Sequence, residues 1–411
     1  MGNPHPRGRE KKTLVFWPAS DSVSRSLGFR SPFQGNSAVA PSADRPAPAG
    51  PADPERRLEV LPSMQENDGP CFGLAPIRLA DRPLFHEVFS RQSRPISDYS
   101  FACTFIWSAS LKIYWARRHR HLCLFANGTG DLTLLVPPLP EPGAKADDLA
   151  RCLQESFSIM DDYNQRFSDR SRSRVEYVSE DVLARLRATP GFDLEASPMS
   201  VDYIYDMARM IDLAGGGLKS KRSARNKFMR DFPDHRTELL APAHRQACLA
   251  LLLRWQQRAE TKYGTAPEAT ASTSPYVLRR REVAACEFAL DHMEALNLKG
   301  MALFVGSDLI GFTLGEALTT SQASILIEKT HPDYPGAPQC IFSEFCRQYW
   351  ADYPECNAGD DCGMPSLQFT KESYRPILRL NKYSLARRVP ARHEGSTPLV
   401  ENLPAAQMLC A

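Results

Sequence analysis

The sequence predicts an α/β chain of the α+β kind, built as two similar units in tandem, each a mixed and largely antiparallel sheet flanked by helices. Two observations carry this. Helical periodicity and short alternating strands recur in the same order in both halves, with turn signals between the strands. The chain is also long enough, since 411 residues with 43% apolar and 24% charged side chains can bury two ordinary cores.

Residues 1–68 are rich in Pro, Ser, Gly, Ala and Arg, and 41–54 are almost wholly loop-forming, so this stretch is expected to be a disordered tail. A start at Met64, with the true chain beginning there, is the other reading. The first unit is expected over 69–212. It holds a helix at 81–90, an aromatic-rich stretch at 98–107, and strands at 112–116, 121–126 and 132–136. The last two are separated by Asn127-Gly128-Thr129-Gly130, a strong turn signal. A helix at 145–167, a strand at 175–178, a helix at 180–188 and a strand at 201–205 complete it.

The second unit is expected over 213–390, followed by a flexible tail at 391–411. Helical patterns at 242–262 and 278–296 precede strands at 300–305, 309–317 and 323–328, and a helix at 341–352 follows. Two helices, three antiparallel strands and then a helix is the element order of the Gcn5-related acyltransferase fold. The halves share this order without sequence identity.

With 50 basic and 48 acidic residues the net charge is +2, which gives no global reason for a nucleic-acid or membrane partner; either would need a local patch. Apolar runs such as 249–253 and 302–305 fall far short of the roughly 20 residues a membrane-spanning helix needs. The basic stretch 1–12 is not followed by the apolar run of a secretory leader. A soluble cytoplasmic protein with no integral membrane association is therefore expected. The eleven cysteines are scattered, and Cys103, Cys123 and Cys286 sit in apolar runs, as reduced core thiols do. The spacing of Cys340, Cys346, Cys356 and Cys362 does not match zinc ligation, and no metal is expected.

Three stretches carry candidate chemistry. After Gly215-Gly216-Gly217, the segment 218–230 holds Lys219, Lys221, Arg222, Arg225, Lys227 and Arg230, with Asn226 interleaved. Six cations in about three helical turns repel one another unless an anion neutralises them, so this is either a phosphate-binding patch or a solvated face paired with scattered acids. Glu328, at the end of a strand, is the candidate base for an acyl transfer; the alternative is an ion pair at the edge of the core. Farther on, Asn357, Asp361, Lys371 and Tyr374 are candidates for the mouth of the site, with Lys371 and Tyr374 donating to a phosphate or carbonyl oxygen. The pair Asp360-Asp361 precedes a short helix, and capping its N-terminus is the leading reading for the two aspartates, ahead of a place at the mouth of the site.

In order, the chain shows Tyr203-x-Tyr205-Asp206, Lys219-x-Lys221-Arg222-x3-Asn226-Lys227-Phe228, Ile327-Glu328-Lys329 and Tyr334-Pro335-Gly336. Asn357-x2-Asp360-Asp361-x-Gly363, Lys371-x-Ser373-Tyr374-x-Pro376 and Lys382-Tyr383 follow. This series resembles a bacterial family whose members look like the C-terminal domain of phosphatidylglycerol lysyltransferases and, more distantly, the Fem peptidoglycan aminoacyltransferases. The resemblance covers roughly residues 72–388. It implies a pair of Gcn5-related folds and transfer of an aminoacyl group from aminoacyl-tRNA, a co-substrate rather than a bound cofactor, to an acceptor the sequence does not identify. On that reading Lys219, Lys221, Arg222, Asn226 and Lys227 hold the phosphorylated donor, while Asn357 and Lys371 lie at the substrate. Glu328, Asp361 and Tyr374 are the catalytic candidates. Coenzyme A-dependent relatives of the fold carry a glycine-rich loop where this chain has Pro335-Gly336-Ala337-Pro338-Gln339, so a coenzyme A-dependent N-acyltransferase is the second reading. A non-catalytic RNA- or phospho-ligand-binding module is the third.

Overall fold

The computed structural model describes residues 72–388, apart from 93–94, 129, 168–172, 190, 192 and 264–274. The expected tails at 1–68 and 391–411 lie outside the described residues.

The first half runs β1 (Ala75–Pro76), α1 (Arg82–Phe89), α2 (Phe101–Trp107), β2 (Lys112–Arg118), β3 (His121–Asn127), β4 (Leu132–Leu134) and β5 (Leu139–Pro140). It continues with α3 (Ala146–Phe167), β6 (Arg174–Ser179), α4 (Glu180–Arg187), β7 (Leu194–Asp206) and α5 (Met207–Asp212). The second half runs α6 (Lys219–Asp231), β8 (His235–Leu239), α7 (Arg245–Tyr263), α8 (Pro275–His292), β9 (Lys299–Val305) and β10 (Asp308–Ala317). Then come β11 (Gln322–Thr330), α9 (Ala337–Tyr349), β12 (Glu355–Asp360), α10 (Pro365–Glu372) and β13 (Leu378–Arg387).

The strands form one continuous sheet in the order β1-β2-β3-β4-β6-β13-β7-β12-β11-β10-β9-β8, with β5 paired to β3. The final strand of each half pairs with the other half. β7 is antiparallel to β12, and β13 inserts between β6 and β7. Each half also contains one parallel contact, β4 with β6 and β11 with β12, while the other pairs are antiparallel. This is the tandem Gcn5-related arrangement, fused at its middle by exchanged strands.

Packing follows from the sequence pattern. In α3 the buried positions Cys152, Leu153, Phe157, Met160 and Tyr163 recur at helical spacing, and the helix lies on β3 and β4. Helix α2 is different: all seven of its residues are buried, and it packs against α8 and α1. Its start is fixed by Ser100, whose Oγ accepts from the Cys103 amide at 2.9 Å. Phe105 of α2 meets Phe288 of α8 with ring centroids 5.2 Å apart, so the core on this face is shared between the halves. Each such buried aromatic is worth roughly 1.5–3 kcal/mol.

Two glycines are dictated by close approach. At Gly315 a β-bulge shifts the register between β10 and β11, and a Cβ there would stand 2.6 Å from the Ser324 carbonyl oxygen. Gly336, before α9, has φ +94° and would bring a Cβ to 2.3 Å from the Ala224 carbonyl oxygen of α6. Among the described residues no helix is long and apolar enough to cross a membrane.

Candidate active site

The parallel strands β11 and β12 are paired only from Gln322–Glu355 to Ser324–Asn357 and then diverge. Asn357 holds the divergence open. Its Nδ2 donates to Asp202 Oδ2 at 3.1 Å and to Gln322 Oε1 at 3.3 Å, and its Oδ1 accepts from the Gly359 amide at 2.8 Å. In the wedge lies a cavity of about 50 Å³, with Ser324, Asp360 and Lys371 on one side and Ile106, Trp107 and Cys286 on the other. Helix α2 of the first half thus walls a cavity whose floor belongs to the second.

Glu328 lies four residues beyond Ser324 on β11 and is 4% exposed. Its neighbour Lys329 pairs with Glu282 of α8, so strand alternation turns Glu328 to the opposite face, where Tyr374 and Cys346 feel its charge. Glu328 Oε2 has no hydrogen-bond partner among the described residues. Burial pushes its carboxyl up to about 8, against the pull of Lys371 and Lys329. Lys371 is itself buried and donates from Nζ to the Ala358 carbonyl at 2.7 Å. Tyr205 Oη donates to the Lys371 carbonyl at 2.9 Å and so fixes the end of α10.

Tyr374 is fully buried, and its hydroxyl accepts from Gln339 Nε2 of α9 at 3.0 Å. Burial raises its phenol well above the ordinary value, so it is a donor or acceptor rather than an anion. Over its ring, 4.3 Å from the centroid, sits Nζ of Lys221, a 2% exposed lysine with no hydrogen-bond acceptor among the described residues. Desolvation brings that ammonium down to about 8.

Between the two halves lies a buried charge node that the sequence reading missed. Lys382 of β13 contacts Asp202 Oδ1 at 2.6 Å, Asp360 Oδ2 at 3.1 Å and Asp98 Oδ2, with every side chain at most 2% exposed. Ser97 donates to both oxygens of Asp202, from its amide at 2.6 Å and from Oγ at 2.9 Å. Ser200 Oγ donates to Asp360 Oδ2 at 2.5 Å. Burial raises Asp98 to about 7, although Lys382 opposes this. An available signal was an aspartate inside an apolar strand pattern, as in Val201-Asp202-Tyr203-Ile204.

The other sequence candidates are dispersed. Asp361 holds a turn: its Oδ2 accepts from Tyr203 Oη at 2.7 Å and its Oδ1 from the amides of Gly363 at 3.0 Å and Val201 at 3.3 Å. The cations of α6 divide by helical face. Lys219, Asn226 and Lys227 are exposed, and Lys227 pairs with Asp231. Arg222 donates to the Leu213 carbonyl at 2.5 Å, and Arg225 to Ser343 Oγ at 2.8 Å and the Ile211 carbonyl at 3.2 Å. Only Lys221 of this segment reaches the buried Tyr374. At the start of α9, Ala337 N donates to the Tyr334 carbonyl and Pro338 has no N–H, so few backbone donors remain for a pyrophosphate.

Sheet order, exchanged strands and a wedge beside a parallel strand pair define a tandem fold of the Gcn5-related type. The family model described as "Phosphatidylglycerol lysyltransferase, C-terminal" matches residues 90–386, and the chain belongs to that family. Among solved structures, a conserved protein of unknown function from Bacteroides thetaiotaomicron is 24% identical with a TM-score of 0.64, covering 77% of this chain and 99% of that one. L-PGS from Bacillus licheniformis is 12% identical with a TM-score of 0.49, covering 74% of this chain and 91% of that one. An uncharacterized protein of Mycoplasmoides gallisepticum is 23% identical over 185 residues, 45% of this chain and 55% of the relative. The chain therefore spans about half the length of that curated relative.

Proposed function

We propose that the chain transfers an aminoacyl group from aminoacyl-tRNA to a hydroxyl or amine acceptor, with Glu328 as the base and the wedge between β11 and β12 as the reaction site. The family description supports the transfer class, and the buried Glu328 carboxyl, whose Oε2 has no hydrogen-bond partner among the described residues, is the observation that carries the site. The aminoacyl ester is already activated, so the protein's task is to orient it and take one proton from the acceptor. A carboxyl poised at about 8 is a stronger base than an exposed one and is partly ionised at neutral pH. Lys371 beside it favours the ionised form. The outward cations Lys219 and Lys227 suit the tRNA backbone, and Lys221 is the cation nearest the interior. Charged tRNA is the partner this requires, which places the reaction in the cytoplasm.

The test supplies the full chain with tRNA carrying a radiolabelled aminoacyl group, and with lipid, small-molecule and protein fractions offered separately as acceptors. Label should move to one fraction, and Glu328→Gln should slow that transfer by roughly a hundredfold or more while tRNA binding persists. Transfer at the parent rate by Glu328→Gln removes Glu328 from the mechanism; no transfer to any fraction overturns the reading.

A further inference from the structure

We propose that β8 is a self-docking edge, and that two copies of this chain pair through it as antiparallel strands about a two-fold axis at Thr237.

The sheet runs from β1 to β8, so these two strands carry its free edges among the described residues. β1 is two residues long and contains Pro76, which has no N–H to offer a neighbour. β8 is five residues long, has no proline and pairs with β9 without a break in register. None of its residues is buried, and Leu239 is 61% exposed. An edge of this kind is a template for another strand.

The main-chain groups that face outward follow from one bond. The Leu240 amide donates to the Gly300 carbonyl of β9 at 3.0 Å. Alternation then turns the main-chain groups of Glu238 and Arg236 toward β9, and those of Thr237 and Leu239 away from it. His235 donates its amide to the Phe232 carbonyl at 3.1 Å, which leaves only its carbonyl for the edge.

Charge selects the occupant and the register. With Thr237 opposite its own copy, the two threonines exchange both N–H···O bonds, and each Leu239 amide donates to the His235 carbonyl of the second copy. Arg236 then lies opposite Glu238 of the second copy, and Glu238 opposite its Arg236. Within one copy these side chains already pair at 2.7 Å, and both are partly exposed, so docking joins four charges of alternating sign. The Arg236 guanidinium also sits over the Phe304 ring, 4.5 Å from its centroid, which holds it in place on β9. Moving the axis to Arg236 or to Glu238 would set like charges directly opposite, and in-register parallel pairing would do the same. The sequence His235-Arg236-Thr237-Glu238-Leu239 therefore complements itself in one direction and one register. A five-residue edge is a small contact beside the ~1,200 Å² of a standard interface, so the dimer is weak and concentration-dependent.

Sedimentation velocity of the full chain across a range of concentrations should show a monomer–dimer equilibrium. Thr237→Pro removes the central donors without touching the β9 ladder, and should raise the dimer Kd at least about tenfold at an unchanged thermal midpoint. Glu238→Arg should raise it severalfold, and adding Arg236→Glu to that variant should restore it. Under a mild disulfide oxidant Thr237→Cys should cross-link the dimer, because residues opposed in such a pair stand about 5.5 Å apart. Leu239→Cys should not, since its copy lies about 13 Å along the strand. If the proline variant does not fold, the cross-link and the charge reversal decide. A chain that stays monomeric at every concentration overturns the proposal. So does a dimer that Thr237→Cys fails to cross-link, or one whose affinity the restored charge pair does not recover, because either places the interface elsewhere.

Discussion

The two parallel strand contacts of this molecule, one in each half, are built alike and furnished differently. Beyond Leu134–Val175 in the first half, Leu135, Val136 and Tyr177 join one packed apolar cluster with Ile96 and Leu139. The buried acids nearby, Asp131 and Glu176, are both held by Arg174 at 2.6 Å. Beyond Ser324–Asn357 in the second half, the corresponding opening holds a cavity lined by Ser324, whose hydroxyl has no hydrogen-bond partner among the described residues. Leaving a polar group buried without a partner costs about 1–3 kcal/mol. The first opening is filled by packed side chains and the second by a cavity, so the first serves as scaffolding and the second is open to chemistry.

The comparison sharpens if the charged centres of the two halves are removed in turn. Lys382→Met leaves three buried aspartates without their ammonium and should destabilise by about 3–5 kcal/mol in chemical denaturation at pH 7. Arg174→Met should cost a similar amount but leave the proposed aminoacyl transfer by the surviving folded protein unchanged, since Arg174 belongs to the other wedge. Loss of transfer in the folded arginine variant would break the division of labour.

Gly336→Ala comes next. Its Cβ would collide with α6 backbone, and its positive φ disfavours any side chain, so a loss of about 2–4 kcal/mol is expected from the same measurement. The smallest effect has the opposite sign. Lys221 is a buried lysine lowered to about 8, so its protonated form is penalised in the fold at neutral pH. Lys221→Met should raise stability by about 1–2 kcal/mol at pH 7 while weakening charged-tRNA binding. The gain should shrink as pH rises from 8 toward the unfolded lysine's value, because the penalty applies only to the protonated form. A destabilised Lys221→Met would show that the ammonium is a structural partner of Tyr374.

Much of the fold was legible because it follows local periodicity. The meander β2–β3–β4, the long α3 and the hairpins β9–β10–β11 each carry their own pattern and turns. β12 and β13 were not read as strands. Asn357 to Asp361 looks like a polar loop, and Lys382 interrupts the alternation of β13; both are explained only by the exchange of strands between halves, a long-range pairing. The same cause hid the node. Asp98, Asp202, Asp360 and Lys382 are spread along the chain and meet only where the exchanged strands cross. Glu328 stood out as a candidate because a carboxylate near a strand end is a local signal, and the structure buries it two residues before the end of β11. The single six-cation patch was not, because helical geometry alone does not tell which of two charged faces turns inward.

The proposed role of Glu328 depends on its being a buried carboxyl, with Oε2 unbonded among the described residues, that titrates far above an ordinary glutamate. Carboxyl-labelled glutamate observed by carbon NMR from pH 4 to 9, with the Glu328 signal assigned by its absence in Glu328→Gln, tests this directly. A midpoint of about 8 is expected. A midpoint near the ordinary 4.5 would contradict it, since the carboxylate would then be paired or hydrated and the second wedge would be no different from the first.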